Sequence, residues 1–248
     1  MFVIAFTLGW ILTKKIYDRE NQSPDKMDKL FIYVVIATLI GARLGHVIFY
    51  QPELFSQDPI SIFLPFSTVP EFKFTGFQGL ASHGATIGII IAMYLYSRNV
   101  IKKPLLWVLD RIVIAVSCGA IFVRIGNFMN SEIIGKATNS DFGVVFQQLG
   151  EDFPRHPAQL YEAAGYLIIF IILWYVYWKT NKSKQLGYML GLFFIMLWTL
   201  RFMVEFIKEA QVDDRSDWVL NTGQWLSIPF ILIGIYLLIQ SYKRKIAE

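Results

Sequence analysis

The sequence predicts an all-α, polytopic membrane protein with about seven transmembrane helices and a small extracytoplasmic segment. Composition is the first observation: 55% of the 248 residues are hydrophobic and only 17% are charged, with a mean hydropathy of +0.46. The second observation is that several apolar runs approach the ~20 residues that a helix needs to cross a bilayer. Third, Lys and Arg concentrate in alternate loops, as they do in multi-pass proteins. We therefore expect a single transmembrane domain over residues 1–248.

Seven apolar segments account for the predicted spans. They cover residues 1–12, 30–50, 80–97, 105–127, 158–178, 186–207 and 223–240. The first segment is about 18 Å long as a helix, which is short of the ~30 Å hydrocarbon core. We expect it to be a half-span, or the natural start of the protein to lie upstream of Met1. Two long polar segments, 51–79 and 128–157, follow the second and fourth spans.

The basic residues orient the spans. One alternating set of loops holds 14 Lys and Arg residues, and the other set holds 5. Cytoplasmic loops carry the excess of Lys and Arg. The first set and the C-terminus are therefore predicted to be cytoplasmic, whereas segments 51–79 and 128–157 are predicted to be extracytoplasmic. The net charge of +4 is explained by this topology, and no nucleic-acid partner is expected.

Five predicted helices each place one ionisable residue in their extracytoplasmic part. These residues are Arg43, His83, Arg124, Glu162 and Arg201. Charged side chains in apolar helices are costly in lipid, and packing rarely needs five of them at one depth. For a lone arginine near a membrane surface, extension of the side chain to water is the simpler explanation. Arg201 and Glu205 are four residues apart, which suits a structural ion pair as well as a ligand-binding role.

The stretch GAIFVRIGNFMNSEIIG, residues 119–135, carries the densest polar cluster. It places Arg124, Asn127 and Glu132 within nine residues and ends at Gly135, where backbone or ligand can approach closely. Arginine presents a planar fork that matches phosphate. In an apolar helical bundle the available phosphate is a lipid headgroup. The sequence thus predicts a phospholipid site on the extracytoplasmic side.

Few other side chains carry recognisable chemistry. His83 is the titratable base expected near neutral pH at this depth, with His46 as the alternative. A single cysteine, Cys118, excludes an internal disulfide and a multi-cysteine metal site. The sequence has no HExxH pair, GxSxG elbow or glycine-rich phosphate loop, so neither a zinc nor a serine-hydrolase mechanism is supported. We expect no metal and no organic cofactor.

Six ordered motifs make the chain resemble the prolipoprotein diacylglyceryl transferase family. The motifs are GARLGHVIFY at 41–50, GLASHGATIG at 79–88, VRIGNFMNSEIIG at 123–135, RHPAQLYEA at 155–163, LRFMVEFIKE at 200–209 and GQWLSIP at 223–229. The resemblance covers nearly the whole chain. The chain departs from the family at Ala85, where a second glycine is usual, and at His46, where tyrosine is usual. The family's extracytoplasmic arm and Tyr-Gly pair, which precede the position of Met1, are not in this sequence.

The resemblance implies roles for individual residues. His83 is implied to be the catalytic histidine, and Arg124 and Arg201 are implied to stabilise the departing phosphate. The residues implied to bind or support phosphatidylglycerol are Asn127, Glu132, Gly135, Tyr161, Glu162 and Glu205. Arg43 joins them because of its depth in the predicted membrane.

The implied reaction transfers the diacylglyceryl group of phosphatidylglycerol to the thiol of the lipobox cysteine in a prolipoprotein signal peptide. This is the first step of lipoprotein maturation, and it implies a multi-pass protein of the bacterial inner membrane with its active site toward the extracytoplasmic side. Two other functions use the same basic pocket: a non-catalytic phospholipid carrier or flippase, and a membrane lipid phosphatase. A transporter is expected to have repeated halves with broken helices, and the sequence has no internal repeat.

Overall fold

The computed structural model describes residues 1–64, 66–69, 71–74, 76, 79, 81–209 and 220–244. Within these ranges the helices are α1 (Phe2–Arg19), α2 (Pro24–Tyr50), α3 (Leu54–Gln57), α4 (Ile60–Phe63), α5 (Ser82–Tyr96), α6 (Leu105–Met129), α7 (Ala158–Lys179), α8 (Tyr188–Val204) and α9 (Thr222–Lys243). Helix α5 continues into a π-helical turn, Ser97–Ile101, and short 3-10 turns cover Gln147–Leu149 and Asn181–Lys184. Two short strands, β1 (Phe66–Ser67) and β2 (Lys73–Phe74), pair in antiparallel fashion.

The long helices follow the predicted order. In the described part of the chain, five of them are long and apolar enough to cross a membrane: α2, α5 with its π-helical turn, α6, α7 and α9. Helix α8 is apolar but shorter, at 17 residues. With α1, these helices correspond to the seven predicted apolar segments. The predicted class, a polytopic helical membrane protein, is confirmed.

Helix α1 is longer than the apolar run that predicted it. We expected the span to end at Leu12, but the helix continues to Arg19 and has 18 residues. The polar extension is accommodated because the Thr13 hydroxyl donates to the Gly9 carbonyl oxygen at 2.8 Å and because Ile16 is fully buried. At 1.5 Å per residue, α1 is about 27 Å long, which approaches the thickness of the hydrocarbon core. A start upstream of Met1 stays a prediction.

The chain divides into two compact units, and the single transmembrane domain stays a prediction. One unit comprises residues 1–16 and 109–248, and the other comprises residues 17–108. In the second unit, α2 and α5 cross with backbone against backbone. A Cβ atom added to Gly88 would lie 2.6 Å from the Ala37 carbonyl oxygen, and one added to Gly41 would lie 3.2 Å from the Gly88 Cα atom. Small residues let helices approach closely in lipid, where tight packing replaces the hydrophobic effect.

In the first unit, the buried carboxylate of Asp110 on α6 fixes the start of α8. Its two oxygens accept the backbone N–H of Gly187 at 2.7 Å and that of Leu190 at 2.9 Å. The first N–H groups of a helix have no partner within the helix, and a negative charge there complements the helix dipole. This contact positions α8, which carries Arg201 in its last turn, against α6, which carries Arg124 near its end.

Candidate active site

Arg124 forms a buried ion pair in the first unit. It lies near the end of α6, and only 9% of its surface is exposed. Its Nε atom is 2.8 Å from Oε2 of Glu162, a 1% exposed residue in the first turns of α7. The buried Tyr166 hydroxyl, one helical turn further along α7, also interacts with the Arg124 guanidinium. Charges removed from water need a partner of opposite sign, and this pairing explains how Arg124 and Glu162 are retained among apolar helices.

A chain of side-chain hydrogen bonds, called here the Asn127–Glu132 relay, continues from Arg124. Its Nη1 atom donates to Oδ1 of Asn127 at 3.2 Å, and Nδ2 of Asn127 donates to Oε2 of Glu132 at 2.7 Å. The other carboxylate oxygen of Glu132 accepts from Nδ2 of Asn130 at 3.3 Å. Asn127 is therefore oriented from both sides, with its carbonyl toward the cation and its amide toward the carboxylate. The three predicted residues of this stretch act as one hydrogen-bonded group.

Gly135 closes the turn that follows α6. Its N–H donates to the His156 carbonyl oxygen at 3.0 Å. A Cβ atom at this position would collide with the same His156 carbonyl oxygen and would lie 3.0 Å from the Ile207 carbonyl oxygen. The position requires glycine because main chain approaches it from two sides. The predicted close approach at Gly135 is thus between backbone segments.

A second set of charges lies where α8 ends. Lys208 is only 5% exposed, and its Nζ atom is 3.7 Å from Oε2 of Glu205. Lys208 also interacts electrostatically with Glu162, Arg201 and Arg124, so these charges belong to one cluster. Burial lowers the pKa of Lys208, against the opposing effect of the Glu205 carboxylate.

Arg201 is held differently from Arg124. Its guanidinium carbon lies 5.3 Å from the centroid of the Trp198 ring, which is a cation–π arrangement. Glu205, which we considered as a possible ion-pair partner of Arg201, pairs with Lys208. Within the described residues, no carboxylate lies within ion-pairing distance of Arg201.

The start of α9 contacts Glu205 from the other side. A Cβ atom on Gly223 would collide with the Glu205 carboxyl group, and Nδ2 of Asn221 donates to the Glu205 carbonyl oxygen at 3.1 Å. Asn221 and Gln224 also form a reciprocal capping box that begins α9. The motif at 223–229 thus supports the segment that carries Glu205 and Lys208.

Segment 128–157 is held to the chain that follows α8. Its centre is Arg155, which donates through Nε and Nη2 to both oxygens of Glu151, at 2.5 and 2.6 Å, and through Nη1 to Glu209 at 2.7 Å. These hydrogen bonds hold the pKa of Glu151 below its usual value. A main-chain bridge between Gly135 and Lys208 runs alongside. Near the start of α7, the Tyr161 hydroxyl lies 3.4 Å from Nδ1 of His156.

The second unit holds Arg43 and the two histidines. Arg43 donates from Nε to the Ile62 carbonyl oxygen at 3.1 Å and from Nη2 to the Ser61 carbonyl oxygen at 2.8 Å. These carbonyls belong to the short helix α4, so Arg43 ties the loop that follows α2 to α2 itself. His46 stacks on Tyr50, with 5.3 Å between ring centroids. His83 lies in the first turn of α5 and is exposed.

The structure therefore brings most predicted site residues together in the first unit. These are Arg124, Asn127, Glu132, Gly135, Glu162, Arg201 and Glu205. Tyr161 belongs to the same unit, whereas His83 and Arg43 belong to the other. Sequence reasoning missed Lys208 and Tyr166. Tyr166 follows Glu162 by four residues, a helical spacing that could have revealed it.

The arrangement suits an anionic ligand. Arg124, Arg201 and Lys208 are cations that converge among apolar helices, and the carboxylates that balance them are hydrogen-bonded or ion-paired. Among the residues that the structure describes, there is no group of three or more His, Cys, Asp or Glu side chains that could hold a metal ion.

Comparison with known proteins assigns the chain to a family. The family model described as prolipoprotein diacylglyceryl transferase matches residues 1–240. The chain belongs to the prolipoprotein diacylglyceryl transferase family. This family member is 41% identical over 245 residues to the phosphatidylglycerol–prolipoprotein diacylglyceryl transferase of Tolumonas auensis, covering 99% of the chain and 90% of the relative. It is 42% identical over 247 residues to that of Bacteroides fragilis, covering 99% and 88%. The corresponding protein of Chloroherpeton thalassium is 40% identical over 247 residues, covering 100% and 88%.

Proposed function

We propose that this family member transfers the diacylglyceryl group of phosphatidylglycerol to the thiol of the lipobox cysteine of a prolipoprotein. One observation carries the proposal. Three cations, the buried Arg124 and Lys208 and the partly exposed Arg201, lie in one charge cluster of a chain that matches a diacylglyceryl transferase family over residues 1–240. A phosphate inside a membrane protein is most readily supplied by a lipid headgroup, and arginine matches its geometry.

The change in charge during the reaction explains why several cations are needed. The thiolate sulphur forms a bond to the terminal glycerol carbon of the diacylglyceryl group, and the bond between that carbon and the phosphate oxygen breaks. The phosphodiester carries one negative charge, whereas the departing glycerol phosphate gains a second. Fixed cations that meet this developing charge stabilise the transition state more than the ground state. Arg124 and Arg201 serve this role, and the Asn127–Glu132 relay keeps the Arg124 fork oriented.

The thiol must lose its proton before it attacks, because the thiolate is the nucleophile. His83 is the proposed base, since its imidazole is exposed at the start of α5 and imidazole titrates near neutral pH. His46 is the alternative, but its ring stacks on Tyr50. The proton passes from sulphur to imidazole and is released when the leaving phosphate or water accepts it. Gly135, Tyr161, Glu162 and Glu205 are proposed to support lipid binding. Arg43, which its depth in the predicted membrane placed with them, is proposed instead to hold the loop that follows α2.

The reaction is tested with purified protein, phosphatidylglycerol vesicles and a lipobox peptide. Mass spectrometry is expected to show peptide that is heavier by one diacylglyceryl unit, and the Cys→Ser peptide is expected to stay unmodified. Vesicles of phosphatidylethanolamine provide the headgroup control. Movement of phosphatidylglycerol between leaflets with no change in peptide mass would favour the carrier or flippase. Release of phosphate from the lipid without peptide modification would favour the lipid phosphatase.

We also propose that the active site faces the extracytoplasmic side of the bacterial inner membrane. The support is the distribution of Lys and Arg, 14 in one alternating set of loops and 5 in the other. Ser140 and Lys184 are both exposed and lie in segments assigned to opposite sides. In a Cys118→Ala background, Ser140→Cys is expected to react with a membrane-impermeant maleimide in spheroplasts, whereas Lys184→Cys reacts only after permeabilisation. The reverse pattern would contradict the orientation.

A further inference from the structure

The turn after α6 holds its main chain in an unusual conformation. Ser131 has a φ of +55° and Ile133 has a φ of +56°, so both residues that flank Glu132 are left-handed. Left-handed backbone is disfavoured for any residue with a Cβ atom, and it is a genuine outlier for a residue branched at Cβ, such as isoleucine. Backbone strain of this kind persists only where surrounding contacts fix it, and it concentrates at functional sites.

Gln159 supplies such a contact. It lies in the first turn of α7 and is completely buried. Its Nε2 atom donates to the Glu132 carbonyl oxygen at 2.5 Å, which is the peptide oxygen between Glu132 and Ile133. The N–H of the same residue, Glu132, donates to the Asn127 carbonyl oxygen at 2.8 Å. The peptide before Glu132 is therefore held by α6, and the peptide after it, between Glu132 and Ile133, is held by α7.

The amide oxygen of Gln159 indicates that this residue does more than fill space in the core. Among the residues that the structure describes, Oε1 of Gln159 is buried and has no hydrogen-bond partner. A buried, unsatisfied polar atom is costly, and an apolar side chain of the same size would avoid that cost. The hydrogen bond from Nε2 to the Glu132 carbonyl oxygen is the contact that an apolar side chain could not make.

The peptide that Gln159 holds belongs to Glu132, and the side chain of Glu132 orients Asn127. The Glu132 carboxylate accepts from Asn127 at 2.7 Å, and Asn127 in turn accepts from Arg124 at 3.2 Å. Without the hydrogen bond from Gln159 the left-handed turn can relax, which would shift the Glu132 Cα atom and, with it, the carboxylate that holds Asn127. We propose that Gln159 is a positioning residue that holds the strained turn so that Glu132 and Asn127 keep the Arg124 guanidinium aimed at the substrate phosphate. This inference rests on the proposed function for its kinetic consequence, whereas the holding of the turn can be measured without activity.

The test replaces Gln159 by methionine, which has a similar length and volume but no donor. We expect kcat for peptide modification to fall about 10- to 100-fold with little change in KM for phosphatidylglycerol, because orientation of the cation is lost and not its charge. Hydrogen–deuterium exchange in a peptide covering residues 130–136 is expected to rise. The exchange measurement does not need catalysis, so it judges the inference even if wild-type protein modifies no peptide, an outcome that would refute only the proposed function.

A second substitution separates positioning from packing. Glycine adopts left-handed backbone without a Cβ clash, so Ile133→Gly removes the strain that Gln159 is proposed to hold. Gln159→Met combined with Ile133→Gly is expected to regain several-fold in kcat and to lower the exchange again. Ile134→Gly is the matched control, since Ile134 is not left-handed and its replacement adds freedom without relieving strain.

Three outcomes would overturn the inference. They are wild-type kcat and exchange in Gln159→Met, equal rescue by Ile133→Gly and Ile134→Gly, and a Gln159→Met protein that does not fold and is not restored by Ile133→Gly. The last result would make Gln159 a packing residue.

Discussion

Arg43 and Arg124 occupy comparable places in the sequence, each toward the C-terminal end of a long apolar helix, yet they are used differently. Arg43 donates to the main-chain carbonyls of Ser61 and Ile62, which belong to the short helix α4. Arg124 meets a carboxylate, Glu162, and a side-chain amide, Asn127. Carbonyl partners belong to the fold and are not exchanged for a ligand. An ion pair within a cluster of charges, in contrast, can share its cation with an incoming phosphate.

The loop that follows α2 is also held by the buried carboxylate of Asp58, which supports a structural role for this part of the molecule. Asp58 is 3% exposed, and its carboxylate accepts from the Thr68 N–H at 2.8 Å and from the Thr68 hydroxyl at 2.7 Å. These hydrogen bonds lower the pKa of Asp58. Arg43 and Asp58 thus both hold the described part of this loop. The partners of an arginine, more than its depth in a helix, indicate whether it serves the fold or a ligand.

The largest effect is expected at Arg124. Arg124→Gln should lower kcat about 10³-fold, because it removes a fixed charge that meets the departing phosphate. It should also destabilise the protein by about 3–5 kcal/mol, because Glu162 is left buried and unpaired. Adding Glu162→Gln should restore the melting temperature without restoring kcat. Recovery of both together would mean that Arg124 serves only the fold, as Arg43 is proposed to do.

Substitution of His83 tests whether this histidine removes the proton from the thiol. His83→Gln should lower kcat by about 10²-fold, which is the lower range for a general base. Part of the rate should return as the pH rises toward the thiol pKa of roughly 8.5, since the peptide then supplies its own thiolate. The measurement is the pH–rate profile of His83→Gln, His46→Gln and Arg124→Gln with one lipobox peptide. If His46→Gln, and not His83→Gln, shows the return at high pH, the base is His46.

A smaller effect on activity is expected at Arg43. Arg43→Gln should change kcat by less than about threefold, because its donors hold main-chain carbonyls, while the loss of two charge-assisted hydrogen bonds should cost about 1–2 kcal/mol. Limited proteolysis should cut segment 51–64 faster, and Asp58→Asn should do the same by releasing the other anchor. Loss of phosphatidylglycerol binding in Arg43→Gln with unchanged proteolysis would instead place Arg43 at the substrate.

The smallest effect is expected on hydrogen exchange near Glu151 when the pH is lowered. The pKa of Glu151 is lowered by its hydrogen bonds to Arg155, so its contribution to stability is fully present above the ordinary value of 4.5 and is lost as the pH falls through the lower, folded value. Exchange in the segment 137–155 should therefore be constant from pH 5 upward and rise only under more acidic conditions, after correction for intrinsic rates. Glu151→Gln should abolish that acid dependence. An acid dependence that persists in Glu151→Gln would mean that another group controls the segment.

The parts of the site that sequence predicted are those joined by short spacing. Asn127 and Glu132 follow Arg124 by three and eight residues at a helix end, so their contact needed little tertiary information. Arg43 was predicted to be a site residue only from its depth in the predicted helix. Its partners lie in the loop that follows α2, where no helical or strand periodicity indicates which residues face Arg43. Lys208 was counted as a loop charge, although the turn after α8 buries it against Glu205. Charge and periodicity identify which helices carry polar groups, but the turns that redirect the chain decide what those groups meet.

The crossing of α2 and α5 has a consequence for how the protein can vary. Where two helices interlock through large side chains, a gain of volume on one can be offset by a loss on the other. Here the surfaces in contact are main chain, and a Cβ atom on Gly88 would already lie 2.6 Å from the Ala37 carbonyl oxygen. Substitution changes side chains but cannot remove a main-chain carbonyl oxygen. A methyl group added on one helix therefore cannot be offset by a smaller side chain on the other. Variation at this crossing is therefore possible only if the helices move apart, which would shift the whole of α5, including the turn that begins with Ser82 and His83.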